Sequence, residues 1–107
     1  MALENVDTTL EAARAEIDRA DQDLAAAFER RMAAVAKIAA YKAQQGLAIG
    51  DPAREAEVVE RGKLLVSEDV RPYYLHVLDK LMEESRSYQQ QLIDGKDSSA
   101  NGEAMCR

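Results

Sequence analysis

Between Thr8 and Gln45 the chain contains no Gly and no Pro, and one stripe of positions runs through the whole stretch. Leu10, Arg14, Ile17, Asp21, Leu24, Phe28, Arg31, Val35, Ile38 and Lys42 alternate steps of four and three. This is the a/d seam of a helix that buries one face against partners. Charges break it at four places. An unpaired charge in such a seam costs on the order of several kcal/mol, so three basic residues there need an anionic counterpart. Asp21 meets only part of that demand, and the seam therefore predicts a small, multiply negative guest.

Length and composition narrow the field. At 107 residues the chain has room for one small core. One Phe, four Tyr and no Trp make that core aliphatic. A net charge of −6 argues against nucleic acid, whose binding proteins present a basic face. The opening MALENVDTTLEAAR lacks the basic-then-apolar layout of a signal peptide, and no apolar run reaches membrane-spanning length. Cys106 is the sole cysteine, which excludes an intrachain disulfide. The expected address is the cytoplasm.

The fold class expected is all-α, a three-helix subunit with a very long first helix. That helix starts at an Asp7 or Thr8 cap and stops at Gln45, before Gly46. Its roughly 50 Å length at 1.5 Å per residue far exceeds the ~13 Å radius of gyration of a compact domain this size. The rest of the chain cannot cover such a stripe, and a homodimer follows. Gly46–Gly50 connect to a second helix, with Asp51 as N-cap and Pro52 at the first helical position. It ends near Arg61 or Leu65, with Ala56, Val58, Val59 and Leu64 turned inward and Gly62 fraying its end. Ser67-Glu68-Asp69 cap the third helix, which tolerates Pro72 in its first turn. Val70, Tyr74, Val77, Leu78, Leu81, Met82, Ser85, Tyr88, Gln89 and Leu92 lie along its inner side, and it ends near Ile93. Residues 1–93 form the helical domain, and the polar residues 94–107 are expected to be a disordered tail.

Spacing sorts the seam cations. Arg31 and Lys42 are eleven residues apart, about 16 Å along one face, close enough for long side chains to grip one small molecule. Arg14 lies seventeen residues before Arg31, roughly 25 Å, and in a dimer it can enter the other subunit's site. Asp51 and Glu55, four apart at the start of the second helix, fit the same pocket. So do Ser85 and Gln89, four apart on the third. A buried Ser and Gln need partners that a ligand can supply, and Glu55 suits a substrate hydroxyl. Arg31 is preferred over Arg30 because it occupies the seam. His76 lacks neighbours of metal-ligand spacing and reads as a surface residue, while Tyr73, Tyr74, Tyr88, Met32 and Met82 read as packing.

In order along the chain, Ala13-Arg14-Ala15-Glu16-Ile17-Asp18, Glu29-Arg30-Arg31-Met32, Tyr41-Lys42, Asp51-Pro52-Ala53-Arg54-Glu55, Glu84-Ser85 and Gln89 resemble the short all-helical chorismate mutases. The similarity covers about residues 8 to 93. It implies an intertwined homodimer with two active sites and a small dianionic substrate, chorismate. By position, the resemblance implies that the partner's Arg14 and Arg31 bind the two carboxylates, with Ser85 assisting. Lys42 and Gln89 would hydrogen-bond the ether oxygen. Glu55 and the backbone near Asp51 would hold the ring hydroxyl, and Arg54 would support the site less directly. The implied catalytic set is Lys42, Gln89, Arg31 and Glu55, with no metal and no cofactor.

Two rival functions are open on the sequence. Isochorismate-pyruvate lyases and aminodeoxychorismate mutases share the scaffold and its basic residues, but the pairs Asp51 with Glu55 and Ser85 with Gln89 look like the mutase pattern. A non-catalytic dimeric helical adaptor would instead pair its seam charges internally.

Overall fold

The structure is a computed structural model that describes residues 6–97, with side chains from 9 to 95. It is all-helical over that range: α1 (Val6–Gln45), α2 (Pro52–Gly62) and α3 (Arg71–Asp97). Two compact units divide the chain, Met1–Ala33 and Ala34–Arg107, and the boundary falls inside α1.

The described part of the first unit is the leading stretch of α1 alone. The helix is already formed at Val6, ahead of the expected Asp7 or Thr8 start, and it passes unbroken through Ala25–Ala27. Strong helix formers and the absence of Gly and Pro account for that continuity. Leu10, Ile17, Leu24 and Phe28 of the seam are all exposed here.

α1 ends in the second unit with a change of backbone hand. Gly46 adopts φ +70°, a conformation that costs any residue with a Cβ. The Leu47 N–H donates to the Lys42 carbonyl at 2.8 Å and the Gly46 N–H to the Ala43 carbonyl at 3.4 Å. These are the two bonds of a Schellman cap, which satisfies carbonyls the helix leaves open. At the start of α2 the Asp51 carboxylate accepts from the Arg54 N–H at 3.1 Å, with Pro52 first in the helix, as the sequence predicts.

α2 packs on α3, and Gly62 sits at a tight point between them. A Cβ there would stand 2.8 Å from Leu78 Cδ2 and 3.3 Å from Tyr74 Cε2. Gly62 is buried, so it does not fray the helix; it is the notch into which α3 fits. The turn between the helices is clamped by Arg71, whose Nε donates to the Lys63 carbonyl at 2.7 Å and Nη2 to the Val66 carbonyl at 3.3 Å. Backbone bonds from Val70 N–H to Ser67 and from Arg71 N–H to Glu68 complete it, where side-chain capping by Ser67-Glu68-Asp69 was expected.

The core of the second unit is Val35, Ala39, Leu78 and Met82. Several inward assignments are corrected. Ala56 and Leu64 face solvent on α2 and beyond, as do Val70 just before α3 and Val77 within it, and Tyr73, expected to pack, is exposed too. The inner stripe of α3 is narrower than its run of apolar residues suggests. The helix also continues past Ile93 to Asp97, helped by a Gln90 Nε2 to Asp94 Oδ1 hydrogen bond of 2.9 Å. The first residues of the expected tail are therefore helical. Residues 98–107, with Cys106, lie outside the described residues.

Candidate active site

The polar groups of the second unit sit on three supports: the last turn of α1, the first turn of α2 and the buried stripe of α3. Lys42 is half-buried in the last turn of α1, where the negative end of the helix dipole favours its charge. No carboxylate among the described residues pairs with it within ion-pair distance. Its own carbonyl is held by the Leu47 N–H, so the residue is anchored by its backbone while its side chain remains available.

On α3, Ser85 and Gln89 continue the spacing of Leu78 and Met82, and both are buried. The Ser85 hydroxyl donates to the Leu81 carbonyl at 2.7 Å, the local bond that a helical serine commonly makes. Gln89 is only 7% exposed, yet its Oε1 has no hydrogen-bond partner in the protein. A buried amide oxygen left unpaired costs roughly 1–3 kcal/mol. Such an orphan in a native core calls for a partner outside the described residues, whether water, ligand or another chain. A half-turn about χ3 exchanges Nε2 for Oε1 in the same volume, so this position can present either a donor or an acceptor.

Glu55 is half-buried in the first turn of α2. Arg86 Nη1 donates to both of its carboxylate oxygens at 2.7 Å. The hydrogen bond, and then the charge, of Glu55 raise the Arg86 guanidinium further above its ordinary value. Arg86 is absent from the sequence-predicted set. The available signal was its place one residue off the buried stripe, immediately after Ser85, but its partner is thirty-one residues away. A long-range pair of that kind leaves no periodic trace.

The remaining predicted residues have plainer settings. Asp51 is exposed and serves as the α2 cap. Arg54 donates through Nη1 to Glu57 at 3.1 Å on the solvent face of α2, and Glu57 also lies 3.8 Å from Arg61. In the first unit Arg14 is exposed, while Arg31 is half-buried and its neighbour Arg30 exposed, as the seam spacing predicts. A shallow depression of about 450 Å³ lined by Ala53, Ala56, Glu57, Glu60, Arg61 and Leu64 holds none of the predicted site residues. It is a furrow on the outer face of α2.

Chemically, the second unit offers an unpaired ammonium, a buried amide lacking its partner, and an oriented carboxylate. His76 is exposed, and no cluster of three metal-ligand side chains occurs among the described residues. No described helix is long and apolar enough to cross a membrane. Groups of these kinds recognise polar organic anions through hydrogen bonds and charge. The family model described as chorismate mutase type II matches residues 13–90. No curated protein and no solved structure matches the chain.

Proposed function

The chain belongs to the chorismate mutase type II family, and from that premise we propose that it rearranges chorismate to prephenate as a homodimer, in the cytoplasmic stage of aromatic amino acid synthesis. The observation that carries the reading is the buried, unpartnered amide of Gln89 inside the family-matched segment. A structural residue at that depth would be paired or apolar.

The reaction is intramolecular. The ether C–O bond breaks as a C–C bond forms, with no proton transferred and no nucleophile. Catalysis then consists of holding the folded conformer and stabilising negative charge that grows on the ether oxygen. Lys42 and the Nε2 of Gln89 supply donors to that oxygen. Arg31, with Arg14 of the partner subunit, binds the two carboxylates. Ser85 assists by turning its hydroxyl away from Leu81. Glu55 accepts from the ring hydroxyl, with the backbone at Asp51 beside it, and Arg54 contributes only indirectly.

The exposed seam residues Leu10, Ile17, Leu24 and Phe28 support the dimer, since a helix stripe of this kind is stable in water only when covered. The test is direct. The protein is incubated separately with chorismate, isochorismate and aminodeoxychorismate, loss of absorbance is followed, and products are identified, alongside sedimentation. Prephenate from chorismate in a dimeric protein is the expected result. Pyruvate release from isochorismate alone would assign a lyase, and no turnover with any of the three would leave the adaptor reading.

A further inference from the structure

The pairing of Glu55 with Arg86 bears on which substrate the site accepts. One guanidinium nitrogen straddles the carboxylate, 2.7 Å from each oxygen. The shared donor engages both oxygens at once and tethers the carboxylate head where it stands. The outward lone pairs of both oxygens remain for a further donor. The pair is partly open to solvent, with side chains 30% exposed for Glu55 and 42% for Arg86, so a ligand can reach it.

The contact is not the sole join between the helices. Gly62 against Leu78 and the Arg71 clamp already fix α2 to α3. The stem of Arg86 instead lies over the connection that follows α1, its Cδ 3.8 Å from where a Cβ on Gly50 would stand. Gly50 itself has φ +91°, a backbone hand that places this turn beneath the arginine. Arg86 is thus held on both sides, by the turn and by the carboxylate.

Charge gives this geometry its consequence. Alone, Glu55 is an anion and would favour a cationic group at that end of the site. With Arg86 it is half of a neutral pair, still an acceptor but with little net field. We propose that Arg86 is a positioning and specificity-determining residue that acts through Glu55, orienting and neutralising the carboxylate so that the site selects a neutral ring hydroxyl over a cationic amine. The inference rests on the mutase reading, in which Glu55 meets the ring hydroxyl.

Chorismate and aminodeoxychorismate differ at that one group, hydroxyl against amine. The experiment measures kcat and KM for chorismate, and the inhibition constant of aminodeoxychorismate against it, for wild type, Arg86→Gln, Arg86→Met and Arg86→Lys. Helical circular dichroism confirms the fold of each variant. In Arg86→Gln and Arg86→Met the ratio of the inhibition constant to the chorismate KM should fall about tenfold toward the amine, since one uncompensated charge at short range in a partly screened site is worth about that much. Arg86→Lys, which keeps the charge and loses the straddling geometry, should hold the ratio near wild type while lowering kcat. A ratio unmoved in both neutral variants overturns the inference, as does a rise in chorismate turnover, which would make Arg86 a competitor for Glu55. A wild-type protein that leaves chorismate unchanged overturns the mutase reading itself, and this inference with it.

Discussion

Ile17 and Leu24 in the first unit are 57% and 63% exposed, while Val35 in the second is 6% exposed, although all three belong to one heptad stripe. The stripe is a property of α1 alone, and its burial is a property of what surrounds each stretch. In the second unit, α2 and α3 come with their own notch, clamp and caps. The described part of the first unit has only its helix. Charge along the pattern grades in the same direction: Arg14 is exposed, Arg31 near the end of the first unit is half-buried, and so is Lys42 in the second. The dimer proposed above would cover the stretch of seam that the first unit leaves open.

The sharpest way to break that comparison is Leu24→Asp. A carboxylate placed in a covered seam costs on the order of several kcal/mol, so sedimentation should show monomers and turnover should fall at least about a hundredfold. A dimer that persists at micromolar concentration would mean that the exposed stretch is not the interface. Lys42→Ala comes next. Losing one donor to developing charge typically removes about 3–4 kcal/mol of transition-state stabilisation, so kcat should drop by two to three orders of magnitude while the protein stays helical and dimeric. Near-wild-type rates would remove Lys42 from the chemistry.

Gly62→Ala probes the second unit's own packing. Helix propensity favours Ala by roughly 1 kcal/mol, but a Cβ 2.8 Å from Leu78 Cδ2 requires that buried side chain to shift. A net loss of about 1–2 kcal/mol is expected in urea unfolding, and a gain would show that Leu78 simply moves aside. The smallest effect on stability is that of Gln89→Leu, which removes the orphan amide. Stability should rise by about 1 kcal/mol as turnover collapses. If both fell together, the amide would be structural.

Much of this was readable in the chain. Gly46 and Asp51-Pro52 announce their caps because such signals are local: the residue that matters and the bond it makes lie within one turn. The seam spacing likewise separates Arg31 from Arg30, since helical periodicity is itself a statement about faces. Reading fails where the partner is distant in sequence. Gly62 looks like a weak point until Leu78 is brought against it, and Arg71 looks like a surface cation until Lys63 and Val66 offer their carbonyls. Glu55 announces itself as an acceptor, but nothing nearby reveals that Arg86 holds it. Val70 and Val77 read inward because their spacing is helical, and Tyr73 reads as packing because it is aromatic. Yet a helix packed on one side buries only part of an apolar surface that wide.

The cap that ends α1 has a consequence for how the chain can vary. Because the Lys42 carbonyl is latched to Leu47, the position of that lysine is settled before the connection to α2 begins. Residues added or removed between Ala48 and Gly50 would therefore be absorbed downstream, leaving the ammonium where it stands. Variation in linker length is uncoupled from the one charge that the proposed chemistry can least tolerate moving.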